Sequence, residues 1–201
     1  MTTLLQKPEL SSPRSPRAIL WTREDCARLE QANLLHNPYE LVEGILNFTG
    51  ENIRHAGIVR RLLVWLFEVF DKAVVLTQTS IDVHPEDNPT SEPEPDAIVL
   101  IRSADEFTQN PTPAEIRLCI EASDSTLTYD LTTKANLYAR AGIIEYWVVN
   151  ATERKLHVHR QPLNGTYQDV VVYSEAEEAA PLAAPQALVR VSELLPRTAV
   201  K

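Results

Sequence analysis

Three ionisable residues, Asp96, Glu121 and Lys134, could act together in chemistry. Asp96 opens the apolar run 97–101, and Glu121 closes a second apolar run, 118–120. Each run is typical of a buried strand, where a further apolar residue would be the ordinary choice. Two carboxylates and one ammonium that converge at a sheet edge would suit a hard divalent cation and a phosphodiester.

The pattern of residues 128–141 predicts a helix that ends at Gly142. This helix must position Lys134. Asp130 lies four residues before Lys134 on that helix. A pair at this spacing is often an exposed salt bridge worth a few tenths of a kcal/mol. The alternative is that the helix turns Lys134 toward the two acids, and the spacing alone leaves both interpretations open.

The remaining pattern alternates between helices and strands and favours a mixed sheet flanked by helices. Residues 102–113 form a short connection with two prolines, which favours antiparallel neighbours on either side. Two helices are predicted, one from Thr22 to about residue 35 and an amphipathic one over 51–70. A hairpin over 39–48 turns at 43–44, and a second turn, at Asn164-Gly165, joins the last two of the predicted strands. These strands are 73–83, 97–101, 115–122, 144–149, 155–159 and 167–173, and residues 187–195 form a last strand or short helix.

Three histidines carry separate expectations. His55 lies at the first turn of the helix over 51–70, on or beside its apolar stripe. It is interpreted either as a core histidine with a hydrogen-bond partner or as a contact to a phosphate or a metal-bound water. His157 and His159 share one face of a predicted strand and are expected to be solvated.

Length and composition predict one domain over residues 21–196, preceded by a flexible lead-in over residues 1–20. The 201 residues contain no apolar run long enough to span a membrane, and the start has no signal-like apolar segment, so a cytoplasmic protein is expected. Cys26 and Cys119 are expected to be reduced core thiols, and no cysteine–histidine cluster predicts zinc. The net charge of −9 argues against a general nucleic-acid binder, although the carboxylates of a metal nuclease are necessarily negative.

Several of these residues, taken in order, closely resemble the Uma-type family of putative restriction endonucleases, within the PD-(D/E)xK nuclease superfamily. The resemblance runs from about residue 39 to residue 173, and its specificity comes from order and spacing together. It rests on 39–44 (YELVEG), His55, 94–96 (EPD), 120–126 (IEASDST), Asp130, Lys134, Tyr138, Ala139, Gly142 and 145–147 (EYW).

The resemblance implies an α/β (α+β) fold with a restriction-endonuclease-like core, in which a mixed central β-sheet is flanked by helices. Asp96 would be the motif aspartate and Glu121 the motif acid. The sequence departs from the superfamily pattern at Ser123, where the E-x-K motif places a lysine. In this family the basic residue stands on the following helix, here Lys134, whose flexible side chain could reach the same point.

The resemblance further implies a Mg²⁺-dependent endonuclease that hydrolyses phosphodiester bonds of nucleic acid, with DNA the expected substrate. Asp96 and Glu121 would bind Mg²⁺, which Mn²⁺ could replace, together with a backbone carbonyl near Ala122. Lys134 would orient the attacking water or stabilise developing charge. The expected supporting residues are Glu40 as a further ligand, His55 as a phosphate contact and Asp130 as a partner of Lys134, with Glu43 a weaker candidate.

Two other interpretations stay open. The chain could be a catalytically inactive interaction or regulatory protein on the same fold, because fold does not determine function. The two acids could instead be strand-end residues hydrogen-bonded to backbone amides, without a metal. The resemblance also allows a homodimer, since restriction-type enzymes often pair to cut two strands and the β-rich C-terminal half could form the interface.

Overall fold

The computed structural model describes residues 19–36, 38–48 and 53–197. Most of the expected lead-in, residues 1–18, lies outside this range, as do residues 51 and 52 at the expected start of the long helix. Ile19 and Leu20, at the end of the lead-in, are exposed. The domain bounds given by the sequence therefore stay a prediction.

A short hairpin and a six-stranded sheet make up most of the β structure. The hairpin pairs β1 (Tyr39–Val42) with β2 (Ile45–Phe48). The sheet has the order β3-β4-β5-β6-β7-β8, and only β5 and β6 are parallel. Its strands are β3 (Val75–Leu76), β4 (Ala97–Leu100), β5 (Ile116–Ser123), β6 (Glu145–Asn150), β7 (Lys155–Leu163) and β8 (Thr166–Ser174). A second small pair joins β9 (Glu178–Ala179) to β10 (Val189–Arg190).

Helices cover both faces of the sheet. They are α1 (Arg23–Gln31), α2 (Ile53–Val69), α3 (Leu127–Tyr129), α4 (Ala135–Ala141) and α5 (Val191–Leu194). A π-helical turn, Asp130–Lys134, joins α3 to α4. Together these three segments form the crossover that parallel strands β5 and β6 require. The mixed sheet with flanking helices confirms the predicted fold class.

The alternation of side chains along the strands builds one core on each face. On one face α2 packs its buried Ile58, Leu62 and Leu66 against the sheet, and Trp65 stacks on Trp147 with ring centroids 5.6 Å apart. On the other face α4 contributes Ala135 and Tyr138 to a second cluster that also contains Cys119 and Tyr146. Both cysteines are free and buried, as predicted.

Both predicted hairpin turns are confirmed. Glu43 and Gly44 have φ values of 50° and 78°, and Asn164 and Gly165 have values of 52° and 80°. Positive φ at both central residues matches the right-handed twist of the strands that they connect. Gly44 is required for a second reason, because a Cβ there would lie 2.7 Å from Cβ of Leu20.

Three predictions differ from the structure. Helix α1 ends at Gln31 rather than near residue 35, because Asn33 takes a left-handed conformation with φ of 53°. Residues 73–83 form only the two-residue strand β3, and Gln78 interrupts the extended chain with φ of 46°. His159 is buried rather than solvated, and its ring packs against both Tyr146 and Tyr167, which also stack on each other.

No helix in the described part of the chain is long and apolar enough to cross a membrane.

Candidate active site

A cavity of about 910 Å³ opens where the end of β5 meets the β1–β2 hairpin, the start of α2 and the π turn. All six predicted site residues line it. Its full lining is Pro38, Glu40, Leu46, Asn47, Phe48, His55, Gln78, Glu94, Asp96, Glu121, Ala122, Asp124, Ser125, Thr126, Tyr129, Asp130 and Lys134. The structure therefore brings together six predicted site residues that are up to 94 positions apart in the chain, from Glu40 to Lys134.

Asp96 lies at the start of β4 and connects two neighbouring elements. Its Oδ2 accepts a hydrogen bond of 2.7 Å from the backbone N–H of Ala122 on β5, and its Oδ1 lies 2.9 Å from Nε2 of His55 on α2. The residue is only 8% exposed. The bond to Ala122 is the backbone contact expected if Asp96 were a purely structural strand-end residue, whereas the contact to His55 ties it to the cavity.

Lys134 is shared by two carboxylates. Its Nζ lies 2.8 Å from Oε2 of Glu40 on β1 and 2.9 Å from Oε1 of Glu121 on β5. All three side chains are almost fully buried, with side-chain exposures of 4 to 6%. The exposed-salt-bridge interpretation of Lys134 is therefore wrong, because the ammonium points into the protein and holds together three separate elements.

The ion pair decides the charge state of this cluster. Burial would lower the pKa of Lys134, but Glu121 and Glu40 outweigh it and hold the pKa well above its ordinary value. Burial also acts to raise the pKa of Glu121, against the opposing effect of Lys134. The two directions favour different protonation states, and the contacts support the ionised one, since a neutral carboxyl would leave a buried ammonium without its closest counter-charge.

Tyr138 completes the surroundings of Glu121. Its hydroxyl donates a 3.0 Å hydrogen bond to Oε1 of Glu121, the same oxygen that Lys134 contacts. Tyr138 lies four residues after Lys134, so both side chains reach β5 from the same side of the helix. From the sequence, Tyr138 fits the helix pattern and the family resemblance and is not predicted as a site residue, although its spacing after Lys134 was a usable signal.

The π turn places Asp130 and Lys134 inward together. Both residues are buried, with exposures of 3 and 5%. The Asp130 carboxylate accepts a 2.5 Å hydrogen bond from the hydroxyl of Thr126, and its backbone carbonyl accepts one from Tyr146. Single π turns inside helices are frequent at functional sites. Asp130 therefore lies beside the cluster, but the ammonium of Lys134 pairs with Glu40 and Glu121 and not, as expected, with Asp130.

Two other acids, Glu94 and Glu43, differ in position: Glu94 lines the cavity and Glu43 lies at the surface. Glu94 lines the cavity without having been predicted there, and burial raises the pKa of its carboxyl. Its position directly before Pro95 and Asp96 was the available signal. Glu43, a weaker candidate, lies outside the cavity lining and forms a 2.7 Å ion pair with Arg140.

Comparison with known proteins identifies the family of the chain. The model of the Uma2 family, described as "Putative restriction endonuclease", matches residues 24–192. The chain belongs to the Uma2 family. No curated protein matches it. The matched range spans all six residues that the sequence predicts for a site, from Glu40 to Lys134.

A crystal structure described as a "putative nuclease belonging to DUF820" from Anabaena variabilis is similar to this Uma2 chain. The TM-score is 0.60 at 15% sequence identity, over 83% of this chain and 96% of the other. A likeness at this identity supports the fold, a nuclease-like mixed sheet with helices on its faces.

The donor chemistry of the Uma2 cavity fits a hard divalent cation, since carboxylate oxygens are the preferred ligands of Mg²⁺. Two of these carboxylates, those of Glu40 and Glu121, already bind a positive charge together, the ammonium of Lys134. Among residues 19–36, 38–48 and 53–197, no three His, Cys, Asp or Glu side chains stand close enough together to hold a metal ion. A Mg²⁺ ion held there by two carboxylates would take its other ligands from water.

Proposed function

We propose that this protein is a metal-dependent endonuclease that hydrolyses phosphodiester bonds of nucleic acid, with DNA as its substrate. The observation that carries the proposal is a buried ammonium shared by two carboxylates, beside Asp96, in a cavity of about 910 Å³. Desolvating three charges is expensive, and a purely apolar cluster would often be as stable. Buried charged groups that gather in a cleft are typical of functional sites.

Asp96 and Glu121 are the proposed ligands of Mg²⁺, which Mn²⁺ could replace. When bound, the metal would lower the pKa of a coordinated water and polarise a phosphoryl oxygen. Ala122 N–H and His55 hold the two oxygens of Asp96, so the carboxylate has a defined orientation before any metal binds. Tyr138 does the same for Glu121 by donating to Oε1.

Lys134 has two proposed roles. Without metal, its ammonium forms ion pairs with both Glu40 and Glu121. With metal and substrate present, Nζ would leave at least one of these carboxylates and contact the phosphate or its attacking water. The flexible side chain of lysine permits this movement, and a preorganised positive charge stabilises the charge that develops on the phosphate.

The start of α2 supplies the proposed contacts to the flanking substrate. His55 lines the cavity and is half-buried, and the neighbouring Arg54 is exposed and lies 3.6 Å from Asp124 at the cavity wall. Positive groups at this position would bind the phosphates on either side of the scissile bond. They would place positive charge next to the substrate, although the chain as a whole has a net charge of −9.

Nicking of supercoiled plasmid in Mg²⁺ tests the proposal. We expect wild-type protein to nick the plasmid, Asp96→Asn to abolish nicking, and Lys134→Met to reduce it by about 10²-fold or more. Glu43→Gln is the matched control, because this carboxylate lies outside the cavity and pairs with a surface arginine. Equal nicking by Asp96→Asn and wild type would remove the cavity from the chemistry.

A second candidate function, an inactive interaction or regulatory protein, is favoured by the net charge of −9. It predicts no uptake of Mg²⁺ or Mn²⁺ that depends on Asp96 and Glu121. Calorimetry on the wild type, Asp96→Asn and Glu121→Gln separates the candidates.

A further inference from the structure

β8 is the longer of the two edge strands of the six-stranded sheet. At the opposite edge, β3 has only two residues, whereas β8 has nine. Within the described ranges, β7 is the only strand that pairs with β8. Because backbone groups alternate between the two sides of a strand, every second residue of β8 points its N–H and C=O away from β7.

The middle of this edge is apolar. Val170, Val171 and Val172 are 48, 38 and 47% exposed. Val170 and Val172 pair with His159 and His157 of β7, whereas Val171 pairs with Val158, so the three side chains project from both faces of the sheet. Soluble proteins usually protect such edges with lysine, proline or a bulge. β8 contains no lysine or proline, and its single charge is Asp169.

We propose that β8 pairs in antiparallel fashion with β8 of a second copy of this chain, about a two-fold axis at Val171. In that register Val171 faces its own copy, and Val170 faces Val172. Asp169 faces Tyr173, so the two like charges do not oppose each other. Cross-strand valine pairs stabilise such a junction, and directly opposed like charges would destabilise it. The sequence of β8 is thus complementary to itself.

The proposed junction leaves both cavities intact. β5, which carries Glu121, lies three strands in from β8. Two copies of β5 would lie seven strand spacings apart, roughly 34 Å at about 4.8 Å per spacing. The pairing therefore does not depend on the proposed nuclease function, and either can fail without the other.

The test is the mass of the full chain in solution, measured by light scattering across a concentration series. We expect a species of about twice 22.6 kDa for the wild type. Val171→Lys and Val171→Glu should each raise the dissociation constant by about 100-fold, because each places like charges opposite each other. An equimolar mixture of the two variants should restore the dimer, since opposite charges then meet.

Val171→Thr is the matched control, because it keeps the β-branched shape without adding a charge, and it should dimerise more strongly than either charged variant. Circular dichroism checks that all variants stay folded. Wild-type protein that is monomeric at every concentration would overturn the proposal, as would a Val171→Lys dimer as tight as the wild type. Plasmid nicking per chain should be the same for Val171→Lys and wild type. A negative result for the dimer therefore leaves the proposed nuclease function untouched, and the reverse also holds.

Discussion

The ammonium of Lys134 lies 2.9 Å from Oε1 of Glu121, in the interior of the protein and across the gap between a helix and a strand. The π turn that ends at Lys134 and the C-terminal half of β5 face each other across the cavity. Glu40 contacts the same ammonium from β1. One lysine thus forms ion pairs with two buried acids, which makes this cluster important for stability as well as for the proposed chemistry.

Replacing Lys134 by methionine should destabilise the protein by about 3–5 kcal/mol, because two buried carboxylates would lose their counter-charge. Urea denaturation measures this change. Lys155→Met is the matched control, since Lys155 forms a 2.9 Å pair with Glu153 at the surface and should cost less than about 1 kcal/mol. Equal stability of the two variants would show that the buried ion pair has no special role.

Replacing Tyr138 by phenylalanine should weaken Mn²⁺ binding by about 10- to 100-fold, because the hydroxyl orients the proposed ligand Glu121. Calorimetric titration with Mn²⁺ measures the affinity. Tyr146→Phe is the control, since its hydroxyl bonds to the backbone carbonyl of Asp130 in the same core cluster. We expect both variants to lose some stability and only Tyr138→Phe to lose metal affinity. Unchanged affinity in Tyr138→Phe would count against this positioning role.

His159 should make stability depend on pH. Burial lowers the pKa of His159 to about 4, whereas an unfolded histidine titrates near 6.5. The unfolded chain therefore binds more protons between these values, so stability is greatest above about pH 6.5 and falls as pH drops toward 4. The full loss is about 3 kcal/mol. Urea denaturation at pH 7 and pH 4.5 measures it against the variant His159→Phe.

The phenylalanine should remove this part of the pH dependence and leave the contributions of the carboxylates. Nδ1 of His159 has no hydrogen-bond partner in the described part of the structure. Phenylalanine would therefore keep the ring contacts with Tyr146 and Tyr167 and lose only the hydrogen bond to the Tyr146 backbone. The exposed His36 supplies the control variant His36→Gln, which should keep the pH dependence of the wild type. Identical pH dependence in the His159→Phe variant and wild type would contradict the assignment.

The sequence was sufficient for the elements whose patterns are strong. The two glycine turns, the apolar runs of β4 and β5 and the amphipathic α2 predicted the mixed sheet and placed Asp96 and Glu121 at strand ends. These features are local, so hydrophobic periodicity and turn chemistry determine them without knowledge of the rest of the chain.

Other features depend on tertiary context and could not be predicted. The π turn has no local sequence signature here, yet it directs both Asp130 and Lys134 inward. The pairing of Lys134 with Glu40, 94 positions away, and its separation from Asp130 follow from how the β1–β2 hairpin meets the sheet. Burial of His159 required the positions of Tyr146 and Tyr167 on neighbouring strands.

The most direct test of a metal centre in this cavity is the anomalous X-ray signal of crystals soaked in Mn²⁺. We predict a peak within coordination distance of carboxylate oxygens of both Asp96 and Glu121 in the wild type, with Nζ of Lys134 moved away from Glu40 or Glu121, and no such peak in Asp96→Asn. A wild-type cavity without a peak, in which Lys134 still contacts both Glu40 and Glu121 at saturating Mn²⁺, would contradict the account.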